Sequence, residues 1–457
     1  MSFPDPTSSV ASAPEDHVAG VDDEVARPVL SHLNGSPGAA ADTEPDTLPG
    51  PDPGDDPPAA PPPTPLLVPR DGVLTPLTDP LALQRLAATM NDSGDSSPVA
   101  LDAERASGFR YSARAYLVQL RRSDVGSVLI DPIPLGDLVP LQRALARSEW
   151  VLHAASQDLP CLAELGLRPR TLFDTELAGR IAGLPKVGLG PLVEQMLGLG
   201  LEKGHGAADW SVRPLPAAWL NYAALDVEVL LELREAMIAE LDRQRKLEWA
   251  REEFAALVAA PPPAPRIDPW RRTSGIHKVR DRRQLAVIRA LWQARDAYAT
   301  QRDIAPHRVL LDAAIIAAAG AAPTSVAALV ELPLFSGRGQ RRQADRWMAA
   351  IATAQRLPES ALPPTKTVLD GPPPPARWKE KNPEAAARLA AARQALTELG
   401  AAVRVPVENL ASPELVRRVC WTGAGSQAEI EAILTDGGAR QWQIALVGGP
   451  LAGALVR

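Results

Sequence analysis

Between residues 66 and 250 the apolar positions change period several times along the chain. Short apolar runs at 98–101, 116–120, 127–130 and 150–152 have the length and β-branched or aromatic content of strands. Residues 138–147, 159–165, 189–197 and 219–241 instead repeat their apolar positions every three or four residues, which predicts helices. A sheet flanked by helices follows for this block. From 277 to 357 and from 376 to 450 only the helical period remains. Leu285, Ile288, Leu291 and Trp292 share one helix face, and Val309, Leu310, Ala313 and Ile316 share another. Both blocks place an amphipathic helix before a Pro-containing turn, Ile304-Ala305-Pro306 in one and Val405-Pro406-Val407 in the other, so a duplicated helical module is expected.

Proline punctuates this pattern. Pro261-Pro262-Pro263-Ala264-Pro265 and Pro372-Pro373-Pro374-Pro375 read as semi-rigid connectors between three folded blocks. Residues 1–65 are rich in Pro, Asp, Ser, Gly and Ala and too poor in large apolar side chains to offset their ordering entropy, so a disordered tail is expected there. Charge sharpens the division. The net charge of −7 combines a tail holding 12 Asp/Glu and one Arg with a stretch, 251–350, that carries 16 Lys/Arg against 9 Asp/Glu. That basic stretch suits either a polyanion or a solvated Arg-rich helical surface. No apolar run is long enough to span a membrane and no signal-like N-terminus is present, so a cytoplasmic location is expected, with no membrane partner. Cys161 and Cys420 lack paired neighbours and read as small core residues.

Three groups of residues carry candidate chemistry. Asp102 and Glu104 stand two apart on a strand, so both carboxylates project from one face. Asp158 follows the 150–152 strand at a helix start, where an acid also suits the helix dipole. Tyr222 and Asp226 stand four apart, stacking phenol and carboxylate on one helix face. Phosphodiester hydrolysis needs such parts together. Two hard divalent ions about 3.5 to 4 Å apart take oxygen ligands, activate water and stabilise a leaving oxygen.

In order, Leu-Asp102-Ala-Glu104, His153-Ala-Ala-Ser-Gln-Asp158 and Tyr222-Ala-Ala-Leu-Asp226-Val resemble the three exonuclease motifs of the DEDD superfamily, tyrosine-bearing subgroup, and most closely the ribonuclease D family. The connecting segments Phe173-Asp174-Thr175-Glu176-Leu177-Ala178 and Asp209-Trp210-Ser211-Val212-Arg213-Pro214 are similar to that family as well, so the likeness spans about 70–240. It implies an α/β ribonuclease H-like exonuclease domain, a mixed sheet flanked by helices, and the later Leu285-x-x-Ile288-Arg289-x-Leu291-Trp292 and Asp303-Ile304-Ala305-Pro306 resemble an HRDC domain, so all-α HRDC-type helical bundles are expected to follow. The expected domains are an exonuclease at 66–250, an HRDC domain at 277–357 and a second HRDC-like domain at 376–450. The resemblance further implies that Asp102, Glu104, Asp158 and Asp226 hold two divalent ions, Mg²⁺ or Mn²⁺, and that Tyr222 orients the attacking water. Lys203, Trp210 and Arg213 resemble positions near the RNA path. Where relatives commonly place a glutamine after that lysine, this chain has Gly204. His153 belongs to the second motif without an assigned catalytic role.

The implied activity is stepwise 3′-to-5′ hydrolysis of RNA from a single-stranded 3′ end, releasing nucleoside 5′-monophosphates, in transfer-RNA or stable-RNA maturation. Two alternatives stay open at this point. A related DNA exonuclease would use the same carboxylates, because the groups that read a 2′-hydroxyl are not visible in the chain. A non-catalytic nucleic-acid-binding protein would have lost a carboxylate of the set, and all four are present.

Overall fold

The computed structural model describes residues 62–455 apart from 73, 93–95, 203, 263 and 367–370. Residues 1–61 of the acidic tail and Lys203 therefore lie outside the described residues. The last part of the expected tail is a strand rather than disordered chain. β1 (Thr64–Leu66) pairs in parallel with β7 (Leu199–Leu201), and the Thr64 N–H donates to Gly198 O at 2.8 Å.

The first block runs β1, α1 (Pro80–Asp92), β2 (Val99–Arg105), β3 (Ala115–Arg122), β4 (Gly126–Ile130), α2 (Pro132–Leu135), α3 (Val139–Ala144), β5 (Glu149–Leu152) and α4 (Leu159–Glu164). It continues through β6 (Thr171–Asp174), α5 (Thr175–Ala182), α6 (Leu189–Leu197), β7, α7 (Ala217–Glu228), α8 (Leu230–Arg243) and α9 (Leu247–Ala259). Five strands form a mixed sheet in the order β4-β3-β2-β5-β6. The three N-terminal strands pair antiparallel, and β5 and β6 join them in parallel. Central β2 is enclosed on both faces, which explains its near-continuous apolar sequence before Asp102. α7 crosses one face over β2, β3 and β4.

One buried carboxylate shapes the turn after β5. Asp174, at the end of β6, caps α5 by accepting the Glu176 and Leu177 N–H groups at 3.0 and 3.1 Å. It also accepts the Ala154 and Ala155 N–H groups at 3.1 and 2.8 Å. Ala154 sits at φ 57°, a left-handed conformation costly for any residue with a Cβ, and Asp174 is what holds it there. The turn so formed delivers Asp158 to the mouth of the sheet.

The two helical blocks repeat one plan. α10 (Arg282–Arg302) ends on left-handed Asp303 and is followed by α11 (Pro306–Val309), α12 (Asp312–Ala321), α13 (Val326–Val330), α14 (Arg338–Arg342) and α15 (Ala344–Gln355). After a short α16 (Trp378–Lys381), α17 (Pro383–Val403) ends on left-handed Arg404 and is followed by α18 (Val407–Leu410), α19 (Pro413–Thr422), α20 (Gln427–Asp436) and α21 (Gln441–Leu455). In both blocks a 21-residue helix capped by Asp or Asn precedes a four-residue helix, a 10-residue helix and a helix capped by Ser325 or Ser426. Cys161 and Cys420 are both free and buried. No helix among the described residues is long and apolar enough to cross a membrane.

Their attachments to the first block differ. The third block shares one continuous hydrophobic core with it. Trp249 of α9 stacks on Trp442 of α21 at 5.2 Å, and the buried Lys246 ammonium donates to Ile181 O and Arg404 O at 2.9 and 3.1 Å. The second block has its own core and grips the β2–β3 loop instead. Asp303 accepts the Ser112 N–H at 2.8 Å, the Ala305 N–H donates to Phe109 O at 3.0 Å, Arg308 Nε donates to Gly108 O at 2.8 Å, and the Tyr111 hydroxyl donates to Asp296 at 3.0 Å.

Replacing Asp174 with Ala leaves four backbone donors without this acceptor, two of them in the turn before Asp158. Denaturant unfolding should show a loss of about 3 kcal/mol for Asp174→Ala, and less for Asp174→Asn, which keeps one acceptor oxygen. A loss below about 0.5 kcal/mol, the range of a surface substitution, would mean the turn is held by something else.

Candidate active site

The carboxylates come together at the C-terminal end of β2. Asp102 and Glu104 project from the face covered by α7, as their spacing requires. Asp226 comes down from α7, and one carboxylate oxygen from each of Asp102, Glu104 and Asp226 lies within 4.8 Å of the others. Asp158 stands outside that trio but shares a hydrogen bond with Asp102, which needs a proton on one of the two. Although Asp158 occupies the cap position of α4, its side chain makes no capping bond and turns into the pocket. Cys161 Sγ donates to Asp158 O at 3.1 Å and steadies that corner.

Among the described residues, one guanidinium answers these four acids. A bulge between Glu104 and Arg105 re-aims Arg105, whose Nη2 lies 3.4 Å from Asp158 Oδ1. That is too little charge for the set. Burial, reinforced by the charges of Asp102, Asp226 and Asp158, pushes Glu104 up to about 10. Burial and the Asp102 charge push Asp158 up to about 8 against the pull of Arg105. Burial likewise raises Asp102, and burial with the Asp102 charge raises Asp226 well above the usual carboxylate range. The group is thus an all-oxygen donor set short of positive charge, a fit for hard divalent cations and a poor fit for soft ones.

Tyr222 lies one helical turn before Asp226 and lines the same pocket beside it. Burial and then the neighbouring acids raise its phenol above the ordinary tyrosine value, so without added cations it keeps its proton. Loop residues close over it: a Cβ added at Gly206 would lie 3.5 Å from the hydroxyl, and the His205 ring stands edge-on at 5.9 Å. Across the pocket, His153 Nδ1 lies 2.9 Å from Thr175 Oγ1, and that hydroxyl donates to Leu152 O. Thr175 must then accept, which puts the imidazole proton on Nδ1 and leaves Nε2 an acceptor. Burial lowers His153 to about 4, so the ring is neutral. Together these residues line an open pocket of about 230 Å³, large enough for a few atoms of substrate and their solvent.

The residues expected along an RNA path fare differently. Trp210 is 0% exposed and packs against Trp219 at 5.3 Å, so it is a core residue and offers no face to a base. Arg213 spends its donors on the protein. It holds Asp131 through Nε and Nη2 at 2.6 and 2.9 Å, and it donates to Tyr116 O, Trp210 O and Val212 O. It ties the loop to the sheet instead of meeting phosphate. Asp174 and Arg105 were missed as supports of the site. The Asp-Thr-Glu start of α5 was a legible cap signal, whereas the bulge that turns Arg105 inward left no mark in the sequence.

Comparisons with known proteins agree with this arrangement. Residues 78–242 match the 3′-5′ exonuclease family, 284–351 the HRDC domain, and 371–455 the 3′ to 5′ exonuclease C-terminal domain. Ribonuclease D of Gluconacetobacter diazotrophicus is 34% identical over 285 residues, covering 60% of this chain and 71% of that protein. Ribonuclease D of Escherichia coli is 32% identical over 290 residues, covering 60% and 74%. Among solved structures, a protein from Bifidobacterium adolescentis superposes with a TM-score of 0.79 at 37% identity, over 86% of this chain and 99% of that one. Escherichia coli RNase D, described as an exoribonuclease involved in structured RNA processing, superposes with a TM-score of 0.63 at 26% identity, over 84% and 98%. Homology over most of these relatives' length, on a mixed sheet that gathers the four acids, places the chain in the ribonuclease D family as a 3′-to-5′ exoribonuclease carrying an HRDC domain.

Proposed function

We propose that Asp102, Glu104, Asp158 and Asp226 hold two divalent ions, Mg²⁺ or Mn²⁺, and that the pocket hydrolyses the terminal phosphodiester of a single-stranded RNA 3′ end, as in the maturation of transfer or other stable RNA. The observation that carries this reading is the convergence of three carboxylates within 4.8 Å, with the fourth hydrogen-bonded to one of them. Such a pair of ions supplies activation of water and neutralisation of the charge that develops on the leaving 3′-oxygen. The chain's own part is positioning. The rigid central strand fixes Asp102 and Glu104, the turn held by Asp174 fixes Asp158, and the Tyr222 hydroxyl in the same pocket is placed to orient a water entering beside Asp226. His153 Nε2 accepts from a group in the pocket, for which a ribose hydroxyl is suited.

For the RNA body upstream of the 3′ end, the HRDC domain offers a basic surface. Exposed Arg338, Arg341 and Arg342 line an open pocket with Ser336. Arg346, four residues after Arg342, lies 4.5 Å from the Tyr298 ring centroid, and Arg302 of α10 lies 5.8 Å from the same ring. Clustered guanidinium groups bind phosphates without reading sequence.

Three measurements test these assignments. Asp102→Asn and Asp226→Asn should each lower the rate on a 3′-extended RNA by about 10²- to 10³-fold while RNA still binds, and Tyr222→Phe should lower kcat by about 10²-fold with metal binding retained. Wild-type rates in Asp102→Asn or Asp226→Asn would remove the site from consideration, and equal cleavage of a matched DNA oligonucleotide would remove the preference for RNA.

A second test uses stability. Acids whose folded values are raised bind protons that the unfolded chain has already released, so the metal-free protein should lose thermal stability as pH climbs from about 5 to 9. Saturating Mg²⁺ should restore more at pH 8.5 than at pH 6. A flat profile with no effect of Mg²⁺ would contradict the crowded acid set.

Thirdly, replacing Arg338, Arg341 and Arg342 together with Ala should flatten the dependence of log affinity on log salt by about 2 for structured RNA, with little change in cleavage of a short oligonucleotide. An unaltered slope would place the RNA body elsewhere.

A further inference from the structure

Gln119 is a polar residue that the site as described does not use. It sits in the middle of β3, is fully buried, and neither its amide nitrogen nor its carbonyl oxygen has a hydrogen-bond partner among the described residues. A buried amide open at both ends is destabilising, and its strand neighbours Leu117, Val118 and Leu120 give no packing need for it.

Its position points to a use. In the antiparallel ladder Gln119 is directly opposite Asp102. Facing residues on such a pair share one side of the sheet, with Cα atoms about 4.5 to 5.5 Å apart. On that side Gln119 is flanked by Leu117 and Arg121 along its own strand and faces Leu129 across β4, with α7 above. Leu117, Leu129, Ala223 and Ala224 are apolar. Arg121 is taken by Asp71, Ser127 and Glu228. The other open acceptor there, Glu228 Oε1, lies 3.6 Å from Arg70 Nε at the far end of this ion network. That leaves the Asp102 carboxylate as the partner which β3 presents to the amide.

We infer that Gln119 is a positioning residue for Asp102, donating its Nε2–H to the carboxylate oxygen that does not face the cation. The inference rests on the reading of Asp102 as a ligand. When Asp102 holds a cation, the donor that would lock the orientation of its carboxylate is already in place on the facing strand. An unmet hydrogen bond in the metal-free protein becomes a met one in the loaded protein, which adds to metal affinity.

The test compares wild-type protein with Gln119→Met, which keeps the side-chain length and removes the donor. Calorimetric titration with Mn²⁺ should show about tenfold weaker binding in the variant, the scale seen when an outer partner of a ligand is lost. Its metal-free melting temperature should equal or exceed that of wild type, because the open amide is gone. At low Mn²⁺ kcat should fall and recover as Mn²⁺ is raised, with KM for RNA unchanged. Equal Mn²⁺ affinity in the two proteins overturns the inference, as does weaker binding accompanied by a lower metal-free melting temperature, which marks a structural role. Should wild type bind no Mn²⁺, the ligand reading falls and takes this one with it. A crystal structure of the Mn²⁺-loaded wild type gives an answer independent of any variant. Nε2 within about 3.2 Å of an Asp102 oxygen supports the role, and a separation beyond about 4 Å removes it.

Discussion

Four acids held in one partly enclosed pocket repel each other, and much of the surrounding structure keeps them there. Arg105 offsets a single charge, at 3.4 Å from Asp158. Burial first, and then the neighbouring charges, raise Glu104 to about 10 and Asp158 to about 8, so protons meet the rest in the metal-free protein. A flexible site would relieve that repulsion by spreading apart. Here each acid is mounted on an element that cannot move alone: the central strand of the sheet, a turn pinned by Asp174, and a helix laid across three strands. Cations take over the role of the protons, so the frame stores a demand for positive charge that only a filled site satisfies.

Much of this was legible in the chain. Spacing alone put Asp102 with Glu104 and Tyr222 with Asp226, because the periods of strand and helix are fixed by backbone geometry. The helix over 189–197 appears with those bounds since Gly188 and Gly198 punctuate it on either side. Where tertiary packing decides, the pattern misleads. Residues 219–241 read as one helix, yet the chain breaks at Val229 into α7 and α8, with no Gly or Pro to announce it. β6 is only four residues long, too short for its apolar pattern to announce a strand. Trp210 and Arg213 belong to a segment that resembles a substrate path, but burial and the Asp131 pair commit them to holding the loop. Gln119 lay inside a run read correctly as a strand, and only its register against β2 gives it meaning.

The two helical blocks use equivalent corners for different contacts. Each long helix ends on a left-handed residue, Asp303 in one and Arg404 in the other. Asp303 offers its carboxylate to the loop that follows the catalytic strand, and Arg404 offers its carbonyl to Lys246. In the first case the corner lies one loop away from Asp102 and Glu104, so the placement of that block and of the acids is mechanically linked.

The shared core of the first and third blocks also changes what the second block is. Chain enters it from α9 and leaves it toward α16, and both of those helices belong to that one core, so the block is in effect an insertion tethered at both ends. Its hold on the β2–β3 loop is small, a handful of polar contacts around Phe109 and Ser112. Between separate molecules such a contact would not persist. Two tethers raise the local concentration of one surface near the other to roughly the millimolar range, where weak bonds suffice. The same tethers mean that letting go of the loop does not release the block, which stays within reach to close again.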